Sequence, residues 1–400
     1  MRRNFVLLAA AGLSGFAALS SAHAGPAPEA ISAAQAELAW RLIDGMAKDG
    51  DPVVSPASLA SAFAVLAEGA DDKMKAALVK TLGFAANANA LAELRAARST
   101  LAAADPTIFI SKDRIVFAPA IPPSPDMQRR LKALNAPWSV GDLTDEKTID
   151  EINAWVRSVT KGMIPSLLGG PLPPDALLVG LNALHFKAKW ADPFDKKLTA
   201  EQTFFAADGK QAQTSMMHSG RMSRSFRTDG DFIGVDLAFA GSRYSLVVVT
   251  TSDAPKPLAA FAPISAWLSG SGFSTQEGTL ALPKFSLEGG GDLLPVLNPL
   301  GLADAASPTA FEGFAPPDRL KGKPVEIGAI IQKAKIEADE EGAKAAAATS
   351  VEIRSAMARP SLPPIAMVVD KPFLFALRDR ESGLVLIAGF VSHAPTAPTD

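Results

Sequence analysis

The spacing of apolar and polar positions changes period midway along the chain. In the first half it is helical: Ile31, Leu38, Leu42 and Met46 share one face, and Ser55-Pro56 supplies an N-cap and a first-turn proline for a helix carrying Leu59, Phe63 and Leu66 up to Gly69. Asp71 caps a further helix through Leu82, which Gly83 stops. Residues 148–161 place Ile149, Ile152, Trp155, Val156 and Val159 at helical spacing before Gly162. In the second half, residues 177–190, 232–239, 244–251, 278–287, 325–338 and 384–391 read as strands, several of them apolar on both faces and therefore covered by other layers. A helical piece, 260–268, interrupts them. No long Gly/Ser or Pro-rich linker and no repeat of 20 to 50 residues divides the chain, so one large interlocked unit of mixed α and β structure is expected.

The first 24 residues stand apart from that unit. Arg2 and Arg3 form a positive start, residues 5–19 a short apolar run, and Ala22-His23-Ala24 a small-x-small cleavage site before Gly25. This reads as a secretory signal peptide over residues 1–24, too short to span ~30 Å of hydrocarbon, with the mature domain at 25–400 and a destination in the periplasm or outside the cell. No later segment reaches 18 unbroken apolar residues. Among 400 residues there are 39 basic and 42 acidic side chains and no cysteine. The absence of cysteine excludes disulfides, thiolate metal sites and a catalytic thiol. A net charge of −3, which becomes −5 once Arg2 and Arg3 are removed, gives no electrostatic reason to expect a nucleic-acid or membrane partner.

Catalytic motifs are scarce. His185, His218 and His393 of the mature chain lack metal-ligand spacing, no cofactor is expected, and Gly289-Gly290-Gly291 fails as a dinucleotide loop because Leu294 stands where the third glycine belongs. Ser158-Val159-Thr160-Lys161 fits Ser-x-x-Lys, and His218-Ser219-Gly220 faintly echoes the Lys-Thr-Gly element of acyl-transfer enzymes. No Ser-Asp-Asn element lies between them, and Ser158 falls near the end of an amphipathic helix, so a solvated helix face is the simpler reading.

The informative stretch runs from Glu340 to Pro360. Its alanines favour helix by propensity, yet at period two Ala343, Ala345, Ala347, Thr349, Val351 and Ile353 fall on one face, while Lys344, Ser350, Glu352 and Arg354 fall on the other. The first face is small enough to enter a tight slot between strands. A long strand candidate precedes the stretch, and Pro360, Pro363 and Pro364 follow it; proline cannot donate to a ladder. The segment is written as a strand in one state and a loop in another.

In these residues the chain resembles the serpins, and the resemblance extends over nearly the whole mature sequence. The stretch Val54-Ser55-Pro56-Ala57-Ser58-Leu59 is similar to the family's second helix start, and Leu181-Asn182-Ala183-Leu184-His185-Phe186-Lys187-Ala188-Lys189-Trp190 followed by Asp192-Pro193-Phe194 to its central strand and breach tryptophan. Leu282-Pro283-Lys284-Phe285, Lys371-Pro372-Phe373-Leu374-Phe375 and Gly389-Phe390-Val391 match further landmarks. The resemblance implies the serpin fold, three β-sheets with eight or nine helices and an exposed reactive-centre loop, here about residues 340–364. It implies a monomer that inhibits a target serine protease as a suicide substrate rather than an enzyme. Serpin loop insertion is itself a standing example of strand addition, so that mechanism comes with the family.

On this resemblance Glu340, Glu341, Gly342 and Ala343 form the hinge, and Ala345, Ala347 and Thr349 belong to the inserting run. Trp190 marks the breach, and Ser55, Ser58, Asn182 and Gln332 the shutter. Gln332 occupies the place of a common shutter histidine facing Asn182; an amide still hydrogen-bonds across that gap but does not titrate. Lys344 replaces a commonly acidic residue on the solvent face. Family spacing counted from Glu340 places the attacked bond at Ala356-Met357, which suits an elastase-like or subtilisin-like protease. Arg354-Ser355, attractive to a trypsin-like protease, and Met357-Ala358 are the competing bonds. About 14 inserted residues make a strand of roughly 45 Å, enough to carry an acylated protease across the molecule. Two other readings stay open: a non-inhibitory serpin-like binding protein, and the Ser158 acyl-transfer enzyme.

Overall fold

The computed structural model describes residues 28–398 apart from 48–49, 84–89, 103–107, 175, 187, 306, 308, 315–326, 328–329 and 343–362. Along the chain run α1 (Pro28–Met46), β1 (Val53–Val54), α2 (Pro56–Leu66), α3 (Asp72–Thr81), α4 (Ala90–Ala102), β2 (Phe109–Phe117), α5 (Pro125–Ala133), β3 (Trp138–Val140), α6 (Glu146–Val159) and β4 (Leu178–Phe186). Then come β5 (Ala200–Phe205), β6 (Gln211–His218), β7 (Met222–Asp229), β8 (Phe232–Ala238), β9 (Tyr244–Thr251), β10 (Ser274–Pro283), β11 (Phe285–Asp292), α7 (Leu294–Leu297), β12 (Ile331–Ala338), β13 (Ile365–Val368), β14 (Phe373–Asp379) and β15 (Val385–Val391).

The helix starts follow their capping chemistry. Ser55 Oγ accepts the Ser58 N–H at the head of α2, with Pro56 in the first turn, and Asp71 Oδ1 accepts the Met74 N–H at the head of α3. α6 begins two residues before its expected start because Asp145 is the cap. The expected helix at 260–268 is a 3₁₀ helix, Leu258–Ser269, with Pro263 inside it.

The strands join into two sheets. A five-stranded sheet has the order β11-β12-β4-β2-β3, and a ten-stranded network runs β1-β15-β14-β9-β8-β7-β10-β6-β5, with β13 pairing parallel to β10. β10 changes partner along its length: Ser274–Gly278 pairs with β7 and Ala281–Pro283 with β6. The larger network therefore divides at β10, and with the five-stranded sheet this supplies the three-sheet architecture. The expected strand 278–287 is in fact two strands in different sheets, broken where Lys284 separates β10 from β11. Pro283, with no N–H to donate, ends the first. Of the strand expected over 325–338, the described residues form β12 from Ile331 to Ala338, with residues 325–326 and 328–329 outside the described set.

The apolar face of α6 (Ile149, Ile152, Val156) packs with Val116, Leu181 and Ala183 of the five-stranded sheet. Between the sheets, Leu184, Phe186, Ala334 and Ile336 meet Phe226, Val248, Phe373 and Phe375. α1, α2 and the 3₁₀ helix cover the far side of β9, β14 and β15. Among the described residues no helix is long and apolar enough to cross a membrane.

Candidate functional site: a seam and a hinge in the five-stranded sheet

The five-stranded sheet is closed on its flanks and loose at its centre. β11 and β12 pair antiparallel from Phe285↔Ala338 to Asp292↔Ile331, and β2 and β4 pair from Phe109↔Phe186 to Phe117↔Leu178. Between those two blocks β12 and β4 run parallel and meet in register only at Lys333↔Ala183 and Ala334↔Leu184. At that point they are direct neighbours, with no strand between them.

Below the seam sits a buried polar layer containing all four expected shutter residues. Gln332 Oε1 accepts the Ser55 N–H at 2.6 Å and Gln332 Nε2 donates to the Ser55 carbonyl at 2.9 Å, while Ser55 Oγ donates to Ser58 Oγ at 2.8 Å. Gln332 thus holds the head of α2 with both ends of its amide. The expected bond from Gln332 to Asn182 is not formed. Asn182 Nδ2 turns the other way, to Asp113 Oδ1 at 2.8 Å and Ser111 Oγ at 3.3 Å on β2. A carboxylate is the stronger acceptor. Asp113 is in turn paired with Arg98 of α4, which also donates to Ser61 Oγ and to the carbonyls of Leu134 and Asn135. Sequence reasoning missed Ser111, Asp113 and Arg98; the signal was a charged run, Lys112-Asp113-Arg114, inside an otherwise apolar stretch.

Above the seam, β12 ends in a tight turn at Asp339–Gly342 that docks on the end of the segment after β4. Asp339 and Gly342 exchange backbone bonds at 3.2 and 3.3 Å, and Gly342 bridges Lys189. Gly342 lies at φ +114°, and a Cβ there would sit 2.4 Å from the Ala188 carbonyl oxygen and 2.5 Å from the Trp190 nitrogen. Only glycine fits. Trp190 is buried; its indole N–H donates to the Asp339 carbonyl at 2.8 Å, and its ring stacks on Phe239 at 4.4 Å.

Glu340 is 5 % exposed and accepts from Thr199 Oγ1 at 2.8 Å and Lys284 Nζ at 3.1 Å. Its neighbour Glu341 pairs with Lys196 at 2.6 Å on the surface. The backbone is anchored too: the Phe194 N–H donates to the Glu340 carbonyl and the Trp190 N–H to that of Glu341. Burial pushes the Glu340 carboxyl up, but the bonds from its own backbone, Thr199 and Lys284 outweigh that, and its pKa lies below the ordinary value. For Asp339, burial dominates and raises the pKa.

The structure thus brings Glu340, Glu341, Gly342 and Trp190 together at the upper end of the seam, and Ser55, Ser58, Asn182 and Gln332 below it. Ala343, Ala345, Ala347, Thr349, Arg354 and the Ala356-Met357 bond lie outside the described residues. Ser158 lies exposed in the last turn of α6, and Ser219 Oγ accepts the Leu280 N–H. Gly290, considered above as part of a nucleotide loop, instead lets β11 approach β12: a Cβ there would stand 2.1 Å from the Gln332 carbonyl oxygen.

A family model described as Serpin (serine protease inhibitor) matches residues 33–394. The chain is 30% identical to glia-derived nexin of Mus musculus over 366 residues, which is 85% of this chain and 87% of that protein. With glia-derived nexin of Rattus norvegicus the identity is 33% over 255 residues, 61% of this chain and 62% of that protein's length. In fold it superposes on the native state of the thermophilic serpin tengpin with a TM-score of 0.76 at 23% identity, covering 92% of this chain and 95% of that one. A thyroxine-binding globulin in complex with thyroxine superposes with a TM-score of 0.75 at 21% identity, covering 91% and 99%. With its fold and almost its entire described length accounted for in this way, the chain belongs to the serpin family.

Proposed function

We propose that the protein is a suicide-substrate inhibitor of serine proteases whose reactive loop spans residues 340–364. The observation that carries this reading is the β12–β4 seam. Two strands that meet in register at only two residue pairs leave unpaired ladder positions above and below them, in a sheet whose other long pairings are complete. An additional strand pairing with both would satisfy those positions. The segment able to supply it follows β12 directly, and its period-two face of Ala343, Ala345, Ala347 and Thr349 suits a narrow slot. Glu340–Gly342 anchors the near end of that segment beside the seam, and β13 anchors the far end on β10.

In this reading the protease attacks the Ala356 carbonyl and forms an acyl-enzyme. The freed arm then enters between β12 and β4 before deacylation, carrying the protease roughly 45 Å. Small Ala356 points to an elastase-like or subtilisin-like target. Residues 1–24 direct export and are removed, leaving 25–400 as one domain acting in the periplasm or outside the cell. Incubation with elastase, subtilisin, trypsin and chymotrypsin, read by denaturing electrophoresis and mass spectrometry, tests this. The expected result is an SDS-stable complex with the first two and a released fragment beginning at Met357. A fragment beginning at Ser355 moves the bond to Arg354, and cleavage without any stable complex refutes the inhibitory reading.

A further inference from the structure

Asn182 of β4 stands between two possible partners. On one side it lies directly opposite Asp113 of β2; on the other, continuing the Lys333↔Ala183 pairing by one residue sets Gln332 of β12 opposite it. All three side chains lie on the face covered by α2, where Gln332 bonds Ser55 and Ser61 Oγ donates to Asp113 Oδ2 at 3.0 Å. Asn182 Nδ2 goes to Asp113 at 2.8 Å, and its Oδ1 is buried with no hydrogen-bond partner among the described residues. A buried acceptor without a donor is costly. Gln332 offers a remedy, because an amide that already accepts and donates one bond keeps a spare lone pair and a spare hydrogen. A bond between the two amides would pin β4 to β12 without releasing Ser55. Asn182 forgoes it.

We propose that Asp113 is a positioning residue for loop insertion: by drawing the Asn182 amide to the β2 side, it leaves the β12–β4 seam without a side-chain bond across it at this level. A carboxylate outcompetes an amide oxygen for Nδ2. Asp113 is itself fixed by Arg98 and Ser61, so it holds Asn182 from a rigid point. Separating β12 from β4 then breaks backbone pairing at two residue pairs while both amides keep their bonds, Gln332 to α2 and Asn182 to β2. The arm must enter before the acyl-enzyme is hydrolysed, and each bond that need not break speeds entry. The purpose assigned to this arrangement rests on the inhibitory reading; the diversion of Asn182 does not.

The test is the double variant Arg98→Met/Asp113→Leu in the full chain, which replaces the buried ion pair by apolar side chains of similar volume and frees Asn182 for Gln332. Backbone hydrogen exchange over residues 331–336 is followed by mass spectrometry, together with the ratio of cleaved to trapped protein for a protease that the wild type traps. Exchange about fivefold slower than wild type, the worth of one net hydrogen bond, and a cleaved-to-trapped ratio higher by a similar factor are the expected results. A merely structural role moves exchange the other way, as Arg98→Met alone should do. Unchanged or faster exchange in the folded double variant overturns the proposal, and slower exchange with an unchanged ratio overturns the role in insertion. Should the double variant fail to fold, Asn182→Leu decides: its β12 amides should exchange as in wild type, and faster exchange there would show that Asn182 already pins the seam, which overturns the proposal. If the wild type traps no protease, the inhibitory reading falls while the exchange result still decides whether Asp113 keeps the seam unpinned.

Discussion

At Glu340 two effects oppose each other on one carboxyl, and their balance sets a pH dependence. Its folded pKa lies below the ordinary 4.5, so the folded state binds fewer protons than the unfolded one in that window. The stabilisation it contributes is fully present above about pH 4.5 and is lost as pH falls through the folded value. Asp339, raised from 3.8 by burial, acts with the opposite sign in the neighbouring window, so the two must be separated by substitution. Glu340→Gln is expected to lower the melting temperature at pH 7 and to flatten its fall between pH 5 and 3 relative to wild type, measured by calorimetry. Parallel curves for the two proteins would mean that Lys284 and Thr199 do not hold the carboxylate. Gly342→Ala is a second residue-scale test. The positive φ and the 2.4 Å approach to the Ala188 carbonyl both penalise a Cβ, and a loss on the order of 1–3 kcal/mol is expected. Of these features, the positive φ at Gly342 was accessible as a glycine after two acids; the Lys284 and Thr199 partners were not, because they arrive from strands far off in sequence.

Among the elements, β4 and β9 were legible from apolar runs, and α2 and α3 from their caps. β2 was not. Its centre, Ser111-Lys112-Asp113-Arg114, breaks the apolar pattern because one face of that strand carries the polar layer rather than core. The charge at Asp113 is tolerated inside a sheet only because Arg98 reaches it from α4, a pairing that no local pattern encodes. The two side chains are 5% and 11% exposed, so removing the cation leaves a buried carboxylate whose remaining donors among the described residues are Asn182 and Ser61. Arg98→Met is therefore expected to cost about 3–5 kcal/mol in chemical denaturation. As a control, Arg41→Met breaks a pair with Glu37 that is half exposed on both sides and should cost under about 0.5 kcal/mol. Equal costs would mean that the Arg98–Asp113 pair does not hold the buried layer together. Legibility failed in the same way at 278–287, where apolar positions on both sides of Pro283-Lys284 read as one strand and hid a change of sheet at that pair.

On the scale of the whole molecule, the proposed inhibitory cycle requires that the strand arrangement seen here is not the lowest available to the chain. Two strands meeting in register at only two pairs, next to a segment able to lie between them, are what such a state demands. If the segment inserts after cleavage, each new ladder bond contributes about 1 kcal/mol net. For a chain of this length 1 kcal/mol moves a melting midpoint by roughly 1–2 °C, so loop cleavage should raise it by about 10 °C or more. The face assignment makes the test specific. In the period-two pattern of the sequence Ala347 falls with the small residues proposed to enter the slot, and Lys344 falls on the opposite, polar face. Ala347→Arg places a charge where no partner or water is available, so the protease should still cut the loop while both the stable complex and the melting gain are lost. Lys344→Glu reverses a charge on the open face and should leave both intact. If Ala347→Arg traps protease as well as wild type does, the segment does not enter the seam through that face, and the β12–β4 opening has some other purpose.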